Sequence, residues 1–224
     1  MPVELEIPHG ATKDYLLAFG VAAVYVATPM RGEPAAIGTA RDLGRALAKL
    51  RERWQPMIFV SHAVWTESTE RADAIVEAVS AAFGPALATP IKGCFAVRGE
   101  RLVSAIDMVV AANGWQVTRH EAALARVRAA VDQLDAELAQ AKAAGRLKFF
   151  NSAYRDYRLG AVARGERFMT YGEAFNRFRR HMVGQIARAT ARRPGDVIEY
   201  VDAASAVFGS KAAAAAPAKE RETA

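Results

Sequence analysis

The sequence predicts a mixed α/β fold of α+β character: a small sheet flanked by helices, followed by a mainly α-helical C-terminal region. Three observations carry that expectation. Short runs rich in β-branched and aromatic residues alternate with helical repeats as far as about residue 113. Beyond Gly114 the pattern becomes helical, with apolar residues three and four positions apart. Alanine supplies much of the 52% hydrophobic fraction, which favours helices and still leaves enough apolar surface for a core.

FGVAAVYVAT, residues 19–28, has the composition of a strand, and AAIGT is its short partner across a Pro/Gly turn. RDLGRALAKLRERW places Leu43, Leu47 and Leu50 at helical spacing. MIFVSHAVW is a third strand, and TERADAIVEAVSAAF returns to helical period with Ala72, Ile75, Val79 and Phe83 on one face. KGCFAV is a brief strand, and ERLVSAIDMVVAA is another helix. Thr118 and Glu121 then form a Thr-x-x-Glu capping box that starts a long helix.

In that helix Leu124, Val127, Val131, Leu134, Leu138 and Ala141 form a heptad-like seam. The seam can close on another helix of the same chain or on a second copy, so a homodimer through 119–144 is one expected partner. Two further helices are expected over 151–164 and 171–191, the second opened by a capping box from Thr170 to Glu173. Asp196 and Glu199 repeat the device before VIEYVDAASAVF, which Gly209 closes. The predicted organisation is an α/β domain over 1–114, a long helix over 115–145, a basic helical region over 146–209 and a low-complexity, disordered tail over 210–224.

Cys94 is the only cysteine, which excludes a disulfide framework and a cysteine-based metal site and suits a reducing compartment. MPVELEIPHG lacks the basic region and apolar run of a signal peptide, and the longest uncharged apolar candidate, LLAFGVAAVYVA, covers only residues 16–27. A soluble cytoplasmic protein with no membrane partner is the expectation. The formal net charge is +6, but its distribution says more. From Arg146 to Arg193 there are twelve Lys or Arg against three acids, a local balance of +9 against −3 for the rest of the chain. Such asymmetry points to a polyanion-binding half.

Val24-Tyr25, followed after a polar turn by Ala36-Ile37-Gly38 and then by TARDLGRAL, resembles the GIY-YIG nuclease superfamily, in its compact phage and bacterial branch. KGCFAV before the next helix extends the likeness, with Cys94 where that branch often has tryptophan, so the resemblance spans about residues 20–114. It implies a DNA-directed fold with one glutamate holding a divalent metal, an arginine meeting phosphate charge, and the first-motif tyrosine helping to activate water. Of that set Tyr25 alone is in place. The arginine position falls on Ala46 and the glutamate position on Val76, while Ala36 replaces the second tyrosine and Ser80 the histidine.

Arg45 and Glu77 are the neighbours, but one residue along a helix turns a side chain by about 100°. A degenerate, inactive nuclease-like domain is therefore expected, with no cofactor. If an endonuclease survives, it must use Tyr25, Arg45 and Glu77 in shifted roles, with Glu77 as the Mg²⁺ ligand. Asp42, Glu67, Glu70 and Asp73 are the other acids that could gather near a metal, although acids at helix starts usually complement the helix dipole. His62, in SHAVW, is expected as a strand residue with a local hydrogen bond.

The basic half interleaves arginine with aromatics. On the second of its helices Phe175, Phe178, Met182 and Ile186 make an apolar stripe, with Arg177, Arg180, His181 and Arg188 largely away from it. On the first, Tyr154, Tyr157 and Ala161 share a face flanked by Arg155 and Arg158. A guanidinium can hold a phosphate through two hydrogen bonds, so Arg155, Arg158, Arg177, Arg180 and Arg188 are the candidate nucleic-acid contacts. DNA is the expected partner, with RNA second; the remaining alternative is a helical protein-interaction scaffold.

Overall fold

A computed structural model describes residues 4–54 and 56–190, with side chains omitted at Ala86 and over 186–190. The helix expected after Asp196, the tail from 210 and the side chains of Ile186 and Arg188 lie outside the described residues. The chain divides into two compact units, one running to Arg128 and the other starting at Ala129.

The first unit is built from α1 (Gly10–Phe19), β1 (Ala22–Pro29), β2 (Ala35–Ala40), α2 (Leu43–Arg53), β3 (Ile58–Thr66), α3 (Thr69–Phe83), a 3-10 turn (Pro85–Leu87), β4 (Cys94–Phe95), α4 (Gly99–Ala112) and β5 (Thr118–Arg119). α5 (His120–Ala143) follows, then α6 (Lys148–Ala163) and α7 (Tyr171–Thr190). The strands form one antiparallel sheet in the order β4-β2-β1-β3-β5, so the fold is mixed α/β with a helical C-terminal region.

β1 is the centre of that sheet and all eight of its residues are buried. A strand covered on both faces reads as a continuous apolar run, and AAVYVATP nearly does. Val24 and Val26, with Ala35, Ile37 and Val64, pack beneath Ala72, Ile75 and Val79 of α3 and Leu102, Ala105 and Ile106 of α4. By the strand's period of two, Ala23, Tyr25 and Ala27 point to the opposite face. From that side α2 packs on β1 and β3, burying Leu43 and Leu47. Between Val26 and Ala27 the register with β3 shifts, leaving Ser61 as a bulge whose hydroxyl donates to the Val26 carbonyl at 3.3 Å.

Three local expectations are corrected. The strand expected over 19–28 starts only at Ala22: Phe19 ends α1, a helix the sequence reading missed, and Gly20 closes that helix at φ +72°. KGCFAV contributes only Cys94 and Phe95 to the sheet, held by Ala36 and Ala35 of β2. Thr118 is not a helix cap; it pairs with Trp65 in β5, and α5 starts two residues later.

In the second unit, glycines terminate both α5 and α6. Gly145 and Gly165 each sit at φ +67°, and the residue after each donates back to the helix, Arg146 to the Ala141 carbonyl at 2.8 Å and Glu166 to the Ala161 carbonyl at 2.9 Å. The expected Thr170–Glu173 box is present. The Glu173 carboxylate accepts from Thr170 N–H at 2.6 Å, and the Thr170 hydroxyl accepts from Glu173 N–H at 3.2 Å. Leu124, Val127, Val131, Leu134, Leu138 and Ala141, the expected seam, are all buried.

Candidate nucleic-acid interface

At the nuclease-like positions, the geometry starts from the hairpin. Tyr25 lies directly opposite Gly38 across β1 and β2. Its ring covers the glycine so closely that a methyl at position 38 would fall 2.7 Å from the phenol oxygen and 2.9 Å from Cζ. The tyrosine is a packing partner for the glycine, and burial pushes its phenol pKa above the ordinary value.

Glu77 is exposed on α3, the helix that covers the other face of the sheet, and Tyr25 points away from that helix. Arg45 is exposed on α2, and its backbone N–H donates to the capping Asp42 carboxylate at 3.0 Å. Tyr25 and Glu77 are thus separated by the sheet itself. Val76 packs its side chain against the core and has no oxygen to offer a cation, so the residues present do not fit the family's metal.

The other candidate acids have local partners. Asp42 caps α2, Glu67 accepts from Arg71 Nε at 2.8 Å, and Asp73 accepts from the Thr39 hydroxyl at 2.7 Å. At Glu70 its own backbone N–H and the Ser68 hydroxyl draw the carboxyl pKa down. Among the described residues no three His, Cys, Asp or Glu side chains are grouped as a metal site would need.

In α6 and α7 part of the aromatic set turns inward, while Phe149 and Tyr157 stay exposed. Phe150 is the hub: Phe178, Tyr171, Phe175 and Tyr154 surround it with ring centroids 5.0–6.3 Å away. Ala141, Leu147 and Ala174 complete the cluster. Tyr154 also donates its hydroxyl to the Met169 carbonyl at 3.1 Å. Of the face expected on α6, Tyr154 and Ala161 are covered but Tyr157 is exposed.

The arginines occupy what is left. Arg155, Arg158, Arg177 and Arg180 are all exposed. Arg155 lies 3.7 Å from Asp156, an exposed pair of little energetic consequence. Arg158 lays its guanidinium over Phe168, 4.7 Å from the ring centroid, and 6.0 Å from that of Tyr154, which fixes its plane without neutralising it. Arg177 reaches the Met169 sulfur at 3.9 Å. Arg179, absent from the expected set, is instead structural: it makes two hydrogen bonds, 2.8 and 3.0 Å, to the Asp135 carboxylate.

Two histidines differ from expectation. His62 lies in β3 as expected, but its Nε2 is buried with no hydrogen-bond partner among the described residues; burial pushes its pKa down, against the pull of Asp107. His120 gave no signal in the sequence and is a buried junction. The Trp65 indole N–H donates to its Nδ1 at 3.1 Å, and its Nε2 lies 2.8 Å from the Glu6 carbonyl. An indole can only donate and a carbonyl only accept, so the ring is neutral with its proton on Nε2. Burial lowers its pKa, while the Glu6 carbonyl and the Glu6 and Glu121 carboxylates pull it up.

Comparison with protein-family models, curated proteins and solved structures finds no match to this chain.

Proposed function

We propose that this chain is a nucleic-acid-binding protein, whose first unit carries a GIY-YIG-like hairpin without its catalysis and whose helical unit supplies the contacts. One observation carries the proposal: Phe150, Tyr154, Phe175 and Phe178 pack against one another between α6 and α7, while Arg155, Arg158, Arg177 and Arg180 lie on the outer surface, where Phe149 and Tyr157 are exposed as well. Exposed guanidiniums in a segment with a +9 balance suit phosphate contacts, which position a protein on a polyanion without reading its sequence. DNA is the favoured polymer because of the hairpin resemblance, and RNA is second.

The resemblance is supported by the order of elements: an antiparallel β1–β2 hairpin, the helix α2, then β3 pairing back onto β1. The inactive reading is supported by the separation of Tyr25 and Glu77 by the sheet and by the valine at position 76. A cytoplasmic setting is supported by a single cysteine, buried, whose thiol pKa is pushed up by that burial. No helix among the described residues is long and apolar enough to cross a membrane.

The test is a supercoiled plasmid incubated with the purified chain and Mg²⁺ or Mn²⁺, then run on a native gel. The expected result is a mobility shift that protein digestion reverses, with no nicked or linear product. Cleavage that disappears in Glu77→Gln and Tyr25→Phe would install the shifted endonuclease in place of this reading. Absence of any shift, with the plasmid and with a single strand alike, would remove nucleic-acid binding from it.

A further inference from the structure

Along the outer face of α7, Glu173, Asn176, Arg177, Arg180 and His181 recur at three- and four-residue spacing. With Met169, in the connection before the helix, they line an open recess of about 720 Å³. That volume lies in the range of sites that take a whole small molecule, of about 300–1,000 Å³, and exceeds what one phosphate contact needs.

Among the described residues the lining is rich in donors, with two guanidiniums beside an amide and an imidazole. Glu173 is the one carboxylate among the described lining residues, and it is already engaged. It caps Thr170, which holds its carboxyl pKa below the ordinary value, and lies 3.6 Å from Arg167. Arg177 has the Met169 sulfur beside it and no carboxylate among the described residues. Asn176 adds what arginine lacks, a donor and an acceptor side by side that can pair with the edge of a base. His181 faces the Gln185 amide through Nε2 at 3.1 Å. When that amide donates, Nδ1 carries the proton, and the ring remains a flat surface for stacking. The Met169 thioether provides an adaptable apolar wall.

Building on the nucleic-acid reading, we propose that this recess seats one unstacked nucleotide of a single strand. Arg177 holds its phosphate, Asn176 pairs with the base edge, and His181 with Met169 takes the base face. A duplex keeps its bases stacked and presents phosphates on a convex surface, so it would engage the arginines and leave the recess empty. A single strand can splay a base outward, which is how sequence-tolerant strand binders gain affinity beyond charge.

The experiment measures fluorescence anisotropy with a short labelled oligonucleotide, as single strand and as duplex, using the full chain at fixed salt. The variants are Asn176→Ala and His181→Ala, which leave the arginines intact, and Arg177→Ala. The expected result is tighter binding of the single strand. Asn176→Ala should weaken it by roughly two- to tenfold, the usual worth of one hydrogen bond, with duplex affinity unchanged. Circular dichroism shows that each variant is folded, and photo-crosslinking of an iodouracil-bearing strand should recover the peptide containing Met169 or His181.

If Asn176→Ala and His181→Ala change nothing while Arg177→Ala weakens strand and duplex alike, the nucleotide seat is wrong and the charged surface stands. Competition by a free nucleoside monophosphate as effective as the strand would overturn the strand and make the ligand a mononucleotide. Failure to bind either polymer overturns the underlying reading together with this one.

Discussion

Replacing His120 should destabilise the α/β unit and remove part of its acid sensitivity. In His120→Ala the Trp65 indole N–H and the Glu6 carbonyl lose their shared partner, at a residue only 4% exposed. A stranded buried polar group costs about 1–3 kcal/mol, which applies to the Trp65 N–H; the Glu6 carbonyl, on an exposed residue, can turn to water and adds less. Even that is a sizeable share of the roughly 5–15 kcal/mol that holds a typical domain folded. His120→Gln can still donate and accept, and should lose less.

The pH dependence has a definite sign. Burial lowers the folded-state pKa of His120 below its unfolded value, so between the two the unfolded chain binds the extra proton. Its contribution is complete above the unfolded pKa, falls as pH drops from about 6.5, and levels off below the folded pKa, with a slope of at most about 1.4 kcal/mol per pH unit. The lowered pKa of His62 acts in the same direction, so the wild type carries both histidines and His120→Gln one. All three tryptophans, Trp54, Trp65 and Trp115, lie in this unit, and urea titrations followed by their fluorescence report on it. A wild type equally stable at pH 7.5 and 5.5, or a His120→Gln variant with the same pH slope, would refute the buried neutral junction.

The hairpin and the long helix make two further predictions. Gly38→Ala places a methyl 2.7–2.9 Å from the buried Tyr25 ring and should cost about 1–3 kcal/mol of overpacking. Much of that loss should disappear when Tyr25→Val is combined with it, and strict additivity would contradict the contact. Val131→Asp puts a carboxylate at a buried position of α5, and should lower the melting temperature equally at every protein concentration without changing the mass seen by light scattering. Conversion of a dimer to a monomer would instead restore the seam to a subunit interface.

The parts legible in the sequence are those with local causes. The α7 boundary rested on Thr170 and Glu173, four residues of capping chemistry, and the apolar faces of α2 and α3 followed from periodicity. The brief strand in KGCFAV was legible, although only two of its residues pair; β5, also two residues long, exists only because β3 lies beside it, so periodicity could not find it. α1 escaped because it lacks a side-chain cap and runs into β1 as one apolar stretch.

At the candidate site the separation was similar. The outward set of α7 followed from its stripe of Phe175, Phe178 and Met182, yet Phe150 as the hub of an aromatic core depends on α6 and α7 meeting through their rings. Asn176 and Met169 acquire meaning only as walls of a recess. His120 finds its partners 55 and 114 residues away, beyond any local pattern. The opposite placement of Tyr25 and Glu77 likewise required knowing which helix covers which face.

The most direct test of nucleic-acid binding by the helical unit is the salt dependence of affinity for a single strand. If Arg155, Arg158, Arg177 and Arg180 each neutralise a phosphate, log affinity should fall linearly with log salt, with a slope near −3 at about 0.7 per contact. Arg177→Ala with Arg180→Ala should weaken binding and bring the slope to about half that value. An affinity indifferent to salt, or one that survives the double substitution with its slope intact, would contradict phosphate binding by α6 and α7.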